Sequence, residues 1–307
     1  MAAIVAAIIG ATGVGIWAEL RFGGRAGIAS RRALLFVLYV VLPPVVFFNL
    51  ARLHFDADVG IGIALAYAAL AGAALAAWFV AVRILKLSRP AAGSVICCTL
   101  VANTGYLGYP LVAALLGFDR LSQAAVYDVL VSGPALLLGA FSIGAAFGDR
   151  AGETLGQRVG AFFTRNPPLY AAALALIAPD ALAPDALVDA SRVAIVAILP
   201  LGFFAVGTAL AEESVEGAAP VPPPFDPPVA VAVVARLALA PVLLYALSAP
   251  LIDLPGPYLL LAAMPCGINT MVVSHAYGLD LRISAGAVAW STALAVVAIV
   301  PVSILTG

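Results

Sequence analysis

The stretch Asn103-Thr104-Gly105-Tyr106-Leu107-Gly108-Tyr109-Pro110 interrupts an apolar run that extends from residue 91 to residue 116. A run of that length is typical of a membrane span. Proline removes a backbone donor and clashes with the preceding turn, and glycine weakens a helix. An unpaired backbone group is costly in lipid, so a break survives only where protein or a wet cavity satisfies it. The stretch therefore predicts a helix that is broken at a site inside the protein.

A second stretch of this kind, Pro265-Cys266-Gly267-Ile268-Asn269-Thr270, lies in the apolar run at 256–276. Where a broken helix resumes, free N–H groups and a dipole of about +0.5 charge favour an anion. We expect these ends after Pro110 and after Asn269, with a carboxylate as the simplest ligand. The alternative is a pair of proline kinks that serve packing alone. The polar pair beside each break favours a binding site.

The predicted substrate-binding residues are the polar, glycine and proline residues of both breaks and one amide in an earlier span, namely Asn103, Thr104, Gly105, Tyr106, Gly108, Pro110, Pro265, Gly267, Asn269, Thr270 and Asn49. For Asn49 the alternative is a hydrogen bond to a neighbouring backbone group.

Composition indicates that the whole chain is embedded in a membrane. Of 307 residues, 64% are hydrophobic and 10% are charged, and the mean hydropathy is +1.12. A water-soluble protein needs far more charge to cover its surface. No basic patch indicates nucleic-acid binding, and the three cysteines lack the spacing of a metal or redox site. We predict no catalytic centre, cofactor or metal site.

Ten apolar runs are long enough to cross the hydrocarbon layer, which is about 30 Å thick. The predicted spans are 2–17, 32–50, 60–82, 91–116, 122–147, 167–183, 186–210, 229–251, 256–276 and 283–305. The sequence thus predicts an all-α membrane protein with ten transmembrane helices, of which the fourth and ninth are broken.

Two sequence matches relate the halves of the chain. The run from Leu42 to Phe48 is echoed from Leu199 to Phe204, and the link that begins at Gly117 is echoed from Gly278. Five helices per half is an odd number, so the second copy must enter from the opposite face, which gives an inverted repeat. The alternative is chance similarity between apolar segments. The predicted divisions are a first five-helix repeat, a cytoplasmic linker and a second repeat, at 1–147, 148–166 and 167–307.

Basic residues set the predicted orientation. Eleven lysines and arginines lie in connections after odd-numbered spans, and three lie in connections after even-numbered spans. Connections rich in basic residues face the cytoplasm. Both termini are therefore predicted outside an inner (plasma) membrane, in the periplasm if the cell is Gram-negative.

Three titratable residues within the spans are candidates for ion coupling or for a counter-charge to the substrate. Asp128 in span five could couple transport to protons, or lie close enough to the interface to stay hydrated. Arg236 in span eight could face the substrate, although its place near the start of the span favours snorkelling to the interface. His275 at the end of span nine could titrate near neutral pH, or be an interfacial histidine.

The run from Asn103 to Leu111 resembles the span-four signature of the auxin efflux carrier family, which includes bacterial malate-type permeases and the plant PIN exporters. The segment after Leu42 and the stretch from Pro265 to Ser274 are also similar to that family. The resemblance covers essentially the whole chain, and only the span-four motif is specific. It implies two inverted five-helix repeats, with a scaffold bundle and a transport bundle that cross at spans four and nine.

The same resemblance implies transport of small organic anions by an elevator-like movement and a homodimer through the scaffold helices. It also implies that Asn103, Pro110 and Pro265 line the crossover. The plant exporters use polar or charged residues in span three as a support site. Here the run at 60–82 has no charged residue, which argues against auxin as the substrate.

Two further functions stay open. Sodium-coupled carriers of the bile-acid symporter type have a similar architecture, but they need carboxylates near the crossover. No Glu or Asp stands beside either break in the sequence. An intramembrane aspartyl protease is the remote alternative, because Tyr127-Asp128 resembles half of its signature while the second acid, Asp280, lies in a loop. His54 and His275 lack zinc-ligand spacing.

Overall fold

The computed structural model describes residues 2–51, 57–149, 167–215 and 223–306. Within these ranges the chain is helical, and its only β-pairing is a single isolated bridge. His54, residues 150–166 of the predicted linker and residues 216–222 lie outside the described part. The α-helices are α1 (Ala2–Phe22), α2 (Arg25–Phe36), α3 (Leu42–Leu50), α4 (Ala57–Phe79), α5 (Arg89–Leu100), α6 (Tyr109–Leu115), α7 (Leu121–Tyr127), α8 (Phe141–Phe147), α9 (Pro167–Ala175), α10 (Asp185–Val215), α11 (Pro227–Val234), α12 (Ala240–Ser248), α13 (Gly256–Ala262), α14 (Asn269–Tyr277) and α15 (Leu281–Thr306).

Six helical stretches of the described residues are long and apolar enough to cross a membrane. They are Arg25–Leu50, Asp58–Ile84, Phe118–Phe147, Asp185–Glu212, Pro227–Ser248 and Leu281–Ala298. The predicted class, an all-α protein of several membrane spans, is thus confirmed. The count of ten spans and the inverted relation of the two halves stay predictions.

Wider, π-helical turns mark the positions of four prolines. Proline has no N–H to donate, and its ring clashes with the carbonyl four residues earlier. A π-helical turn shifts the hydrogen bonding by one residue and so removes this conflict locally. Four such turns, Val37–Val41, Thr104–Gly108, Asp128–Ser132 and Ala235–Leu239, each end two residues before a proline, at Pro43, Pro110, Pro134 and Pro241 respectively. The helices therefore continue through these prolines instead of ending at them.

The helices pack in two groups. The first helix group consists of α1, α2, α3, α9 and α10, which contact one another. The second helix group is built around α4, α5, α11, α12 and α15. Of the interrupted helices, α5 belongs to the second group, α13 and α14 contact it, and α6 packs on α7 and on α10 of the first group.

In the first helix group, α1 lies directly against the backbone of α10. A Cβ atom at Gly15 would overlap the carbonyl oxygen of Phe204, and one at Gly207 would overlap that of Thr12. Small residues of this kind let membrane helices approach closely, because packing replaces the hydrophobic effect inside lipid. Glycine at both positions is therefore required for this pair of helices.

Candidate substrate site at the crossing helices

Two helices of the structure are interrupted at the middle of their runs. Helix α5 ends at Leu100, and the chain becomes helical again with the π-helical turn Thr104–Gly108. Helix α13 ends at Ala262, and α14 begins at Asn269. Residues 101–103 and 263–268 form the two breaks.

The two breaks cross and bind each other. The backbone N–H of Asn103 donates to the Pro265 carbonyl at 2.8 Å, and the backbone N–H of Gly267 donates to the Val101 carbonyl at 2.9 Å. These bonds form an antiparallel bridge between Ala102 and Cys266. In a membrane every backbone group needs a partner, and this bridge supplies partners that the broken helices lack.

Glycine at position 267 makes the bridge possible. A Cβ atom there would lie 2.9 Å from the Val101 side chain and 3.0 Å from the Ala102 carbonyl oxygen. Since backbone cannot give way at a bridge, a larger residue would separate the two breaks.

The helix of span four resumes earlier than the sequence predicted. We expected its free amide end after Pro110, but the helix begins at Thr104 and runs through the buried Pro110. The prediction was wrong because the π-helical turn before Pro110 lets the helix pass the proline. The first amides of a helix have no intrahelical acceptor. Further along this helix, the backbone amide of Gly108 donates to the Asn103 carbonyl at 3.1 Å. The open end therefore lies at Thr104–Tyr106.

In span nine the helix starts at Asn269, but its amide end is less open. The amides of Thr270 and Met271 bind the carbonyls of Gly267 and Ile268, each at 3.0 Å. Span four thus offers more free donors than span nine.

A cavity of about 440 Å³ lies against the crossing. Six of the predicted site residues line it: Asn103, Thr104, Gly105, Tyr106, Gly267 and Asn269. Asp128 and Arg31 contribute charge, and most of the remaining wall is apolar, including Leu34, Leu136 and Phe141. The cavity thus combines the open amide end of span four with an apolar wall, as small-molecule sites commonly do.

Four other predicted residues of the breaks do not line this cavity. Pro110 and Pro265 are buried, and Gly108 packs closely on Leu261. Thr270 is fully buried, and its hydroxyl donates to the Gly267 carbonyl at 2.8 Å. These residues pack in the interior and do not face the cavity.

Asn49 lies away from the cavity. It is 6% exposed, and its amide nitrogen donates to the Val45 carbonyl at 2.8 Å and to the Ser191 hydroxyl at 3.0 Å. The structure thus shows the alternative arrangement, a backbone hydrogen bond one helical turn back, which secures α3 against α10.

Asp128 lies at the span-four break. The Thr104 hydroxyl donates to its carboxylate, and the carboxyl group lines the cavity. The buried Tyr109 hydroxyl is nearby but has no hydrogen-bond partner among the described residues. The expectation that no carboxylate stands beside a break was wrong, because α7 packs against α6 and carries residue 128 back to the level of Thr104.

Arg236 and His275 lie elsewhere. Arg236 is 1% exposed, does not line the cavity, and donates to the backbone carbonyls of Thr99, at 2.9 Å, and Ala262. It therefore neither faces the cavity nor snorkels to the interface, because two carbonyls in the interior bind it. His275 is exposed on the outer face of α14 and does not line the cavity.

Arg31 was missed as a cavity residue. Its guanidinium forms an ion pair with Glu212 at 2.6 Å, and its side chain is 55% exposed. In the sequence it stands among the basic residues of the connections, which indicated only orientation. It stands three and four positions before Leu34 and Leu35, which also line the cavity. This spacing places Arg31 on the same face of α2 as Leu34 and Leu35, which is the feature that could have identified it.

Asp280 does not join Asp128. Its carboxylate accepts from the Ile283 amide at 3.2 Å, at the N-terminus of α15. An aspartyl protease needs two carboxylates that share a proton, and here the two carboxylates bind different partners. The geometry gives the protease alternative no support.

A family described as "Membrane transport protein" matches residues 4–143. This segment contains the first break, Asp128 and Arg31, and the match supports the resemblance drawn from residues 103–111. No curated protein matches the chain. The family match and the apolar spans together indicate a membrane transporter.

Proposed function

We propose that this membrane transporter is a secondary carrier of small organic anions, such as malate-type dicarboxylates. The observation that supports the proposal most directly is the crossing itself. Two interrupted helices pair through Ala102 and Cys266, and the helix that follows opens its amide end into a cavity.

The donors around that end fit a carboxylate. The amides of Thr104–Tyr106 and the positive end of the helix dipole attract negative charge. The side-chain amides of Asn103 and Asn269 line the same cavity and add neutral donors. Arg31 lies on the wall contributed by α2, where its positive charge is partly offset by the ion pair with Glu212. A volume of about 440 Å³ is in the range of small-molecule pockets, roughly 300–1,000 Å³.

The proposed mechanism is an elevator-like alternation. Asn269 begins α14, which packs on α5 and α15 of the second helix group, and the turn that contains Asp128 contacts α4. The turn Thr104–Gly108 lies against α10 of the first group, and Leu34, Leu42 and Pro168 of that group supply apolar wall. Movement of the second group along this apolar surface would carry the bound anion across the membrane. With the termini outside, Arg31 marks the cytoplasmic side of the cavity.

Alanine at Asn103 or Asn269 is expected to reduce malate flux. Each variant lacks one hydrogen bond to the charged ligand, which weakens the binding free energy by about 1.5–3 kcal/mol, or roughly 10- to 100-fold in affinity. Uptake of labelled malate by proteoliposomes measures the effect. Asn49→Ala is the matched control, since that amide is buried and lies away from the cavity. Normal transport by both site variants would remove this site assignment.

A sodium-coupled symporter of the bile-acid type is the second candidate, and Asp128 beside Thr104 is the observation that favours it. Sodium would need several oxygen ligands together, whereas a proton needs the carboxylate alone. We expect replacement of sodium by potassium at constant pH to leave malate flux unchanged. A flux that collapses without sodium would favour the symporter instead.

A further inference from the structure

The breaks leave carbonyl groups of both first half-helices without the partners that a continuous helix would give them, among them those of Thr99 and Ala262. In an α-helix the Thr99 carbonyl would accept from the Asn103 amide, and the Ala262 carbonyl from the Cys266 amide. The Asn103 amide instead binds Pro265 across the crossing. The Cys266 amide binds the Ser291 hydroxyl at 3.0 Å. One carbonyl at the C-terminal end of each first half-helix is thus released.

A single side chain binds both released carbonyls. One terminal nitrogen of Arg236 donates to the Thr99 carbonyl at 2.9 Å, and the other donates to the Ala262 carbonyl. The guanidinium is planar, and its two terminal nitrogens have a fixed separation. The carbonyls therefore have a fixed separation too, and with them the ends of α5 and α13.

The charge of Arg236 is balanced without an acid. Among the residues that the structure describes, no carboxylate forms an ion pair with this guanidinium. Its surroundings are mostly apolar, with Ala66, Leu70 and Leu244 nearby, and within the described part of the chain Tyr127 is the one other polar side chain that lines this space. Each helix C-terminus carries about −0.5 charge, so two of them offset one cation. This pairing neutralises the negative ends of the half-helices, while the positive end at Thr104 faces the cavity beside Asp128.

We propose that Arg236 is a positioning residue, which fixes the two crossing breaks at the spacing that the anion site requires. The link to anion binding rests on the proposed function. The tie between the half-helices, meaning the hydrogen bonds from Arg236 to the Thr99 and Ala262 carbonyls, does not depend on it. Arg236 acts through Thr99 and Ala262 and does not touch the cavity.

Hydrogen–deuterium exchange of the substrate-free protein in lipid nanodiscs tests the tie. In Arg236→Gln we expect at least tenfold faster exchange in peptides that cover 99–106 and 262–270, with no change in α10. Arg192→Gln is the matched control, because that arginine forms ion pairs with Asp119 and Asp189, and none of the three residues lines the cavity. Wild-type exchange at both crossing segments in Arg236→Gln would overturn the proposal. A uniform rise over all helices would overturn it as well, by assigning Arg236 a general role in stability.

Arg236→Lys decides the question if the glutamine variant does not fold. Lysine keeps the charge, but a compact ammonium cannot reproduce the two-pronged geometry. Faster exchange at either crossing segment supports the proposal, and unchanged exchange at both contradicts it.

Malate binding, measured by calorimetry on the same proteins, tests the link to the site. We expect about tenfold weaker binding in Arg236→Gln, intermediate binding in Arg236→Lys and unchanged binding in Arg192→Gln. Wild-type affinity in a glutamine variant whose crossing has loosened would refute the link. If the wild-type protein binds no malate, the proposed substrate fails, and the exchange result alone decides the role of Arg236.

Discussion

Replacement of Asp128 by asparagine should abolish accumulation of malate against its gradient, while exchange of malate across the membrane continues. The carboxylate of Asp128 lines the cavity in which the anion is proposed to bind. Two negative charges in one poorly solvated site repel each other, so the anion binds best when a proton neutralises Asp128. Asparagine can still accept from the Thr104 hydroxyl, and it needs no proton. The variant should therefore carry the anion without the coupled proton.

Proteoliposomes with an inwardly directed proton gradient measure this effect. We expect wild-type protein to concentrate labelled malate, and Asp128→Asn to bring it only to the external concentration. Preloading with unlabelled malate should give similar exchange in both. Asp119→Asn is the matched control, because that carboxylate is on the surface and pairs with Arg192. Concentrative uptake by Asp128→Asn, or loss of exchange together with accumulation, would contradict a coupling role.

Valine in place of Gly207 should prevent the close packing of α1 on α10 and strongly lower the yield of folded protein. The new Cβ would overlap the Thr12 carbonyl oxygen and lie 3.0 Å from the Ile16 amide nitrogen, and both are backbone atoms. Overpacking of this kind costs about 3 kcal/mol where the neighbours cannot move. Size-exclusion profiles and thermal melts in detergent measure the loss.

Gly13→Val is the control for this experiment. It makes the same chemical change on α1, at a position where a Cβ atom meets nothing within 4 Å. We expect its melting temperature to stay close to that of the wild type. Equal melting of the two variants would show that the backbone contact between α1 and α10 is not what holds these helices together.

Local sequence located the second interruption, at 263–268, but of the stretch predicted for the first, 103–110, only Asn103 lies in the break. Gly267 and the prolines stand out in apolar runs, and the helices are interrupted at 101–103 and 263–268. The restart at Thr104 was not predicted, because it depends on a π-helical turn before Pro110 that no single residue type indicates.

Charged groups were harder to place, because their partners lie far away along the chain. Asp128 is 24 residues from Thr104, and Arg31 is 181 residues from Glu212. The environment of Arg236 was the hardest to predict from the sequence. Its partners are backbone carbonyls that become available only when both helices break, and composition contains no trace of them.

The bridge between Ala102 and Cys266 also restricts how this protein can vary in length. Its two hydrogen bonds pair one residue of each break with one residue of the other, in a single register. An insertion or deletion of one amino acid in either segment would turn each side chain to the opposite side and misalign both donors. Genetic variation at the crossing should consequently take the form of exchanges between residue types, whereas added or missing residues should be confined to the connections at the membrane surface.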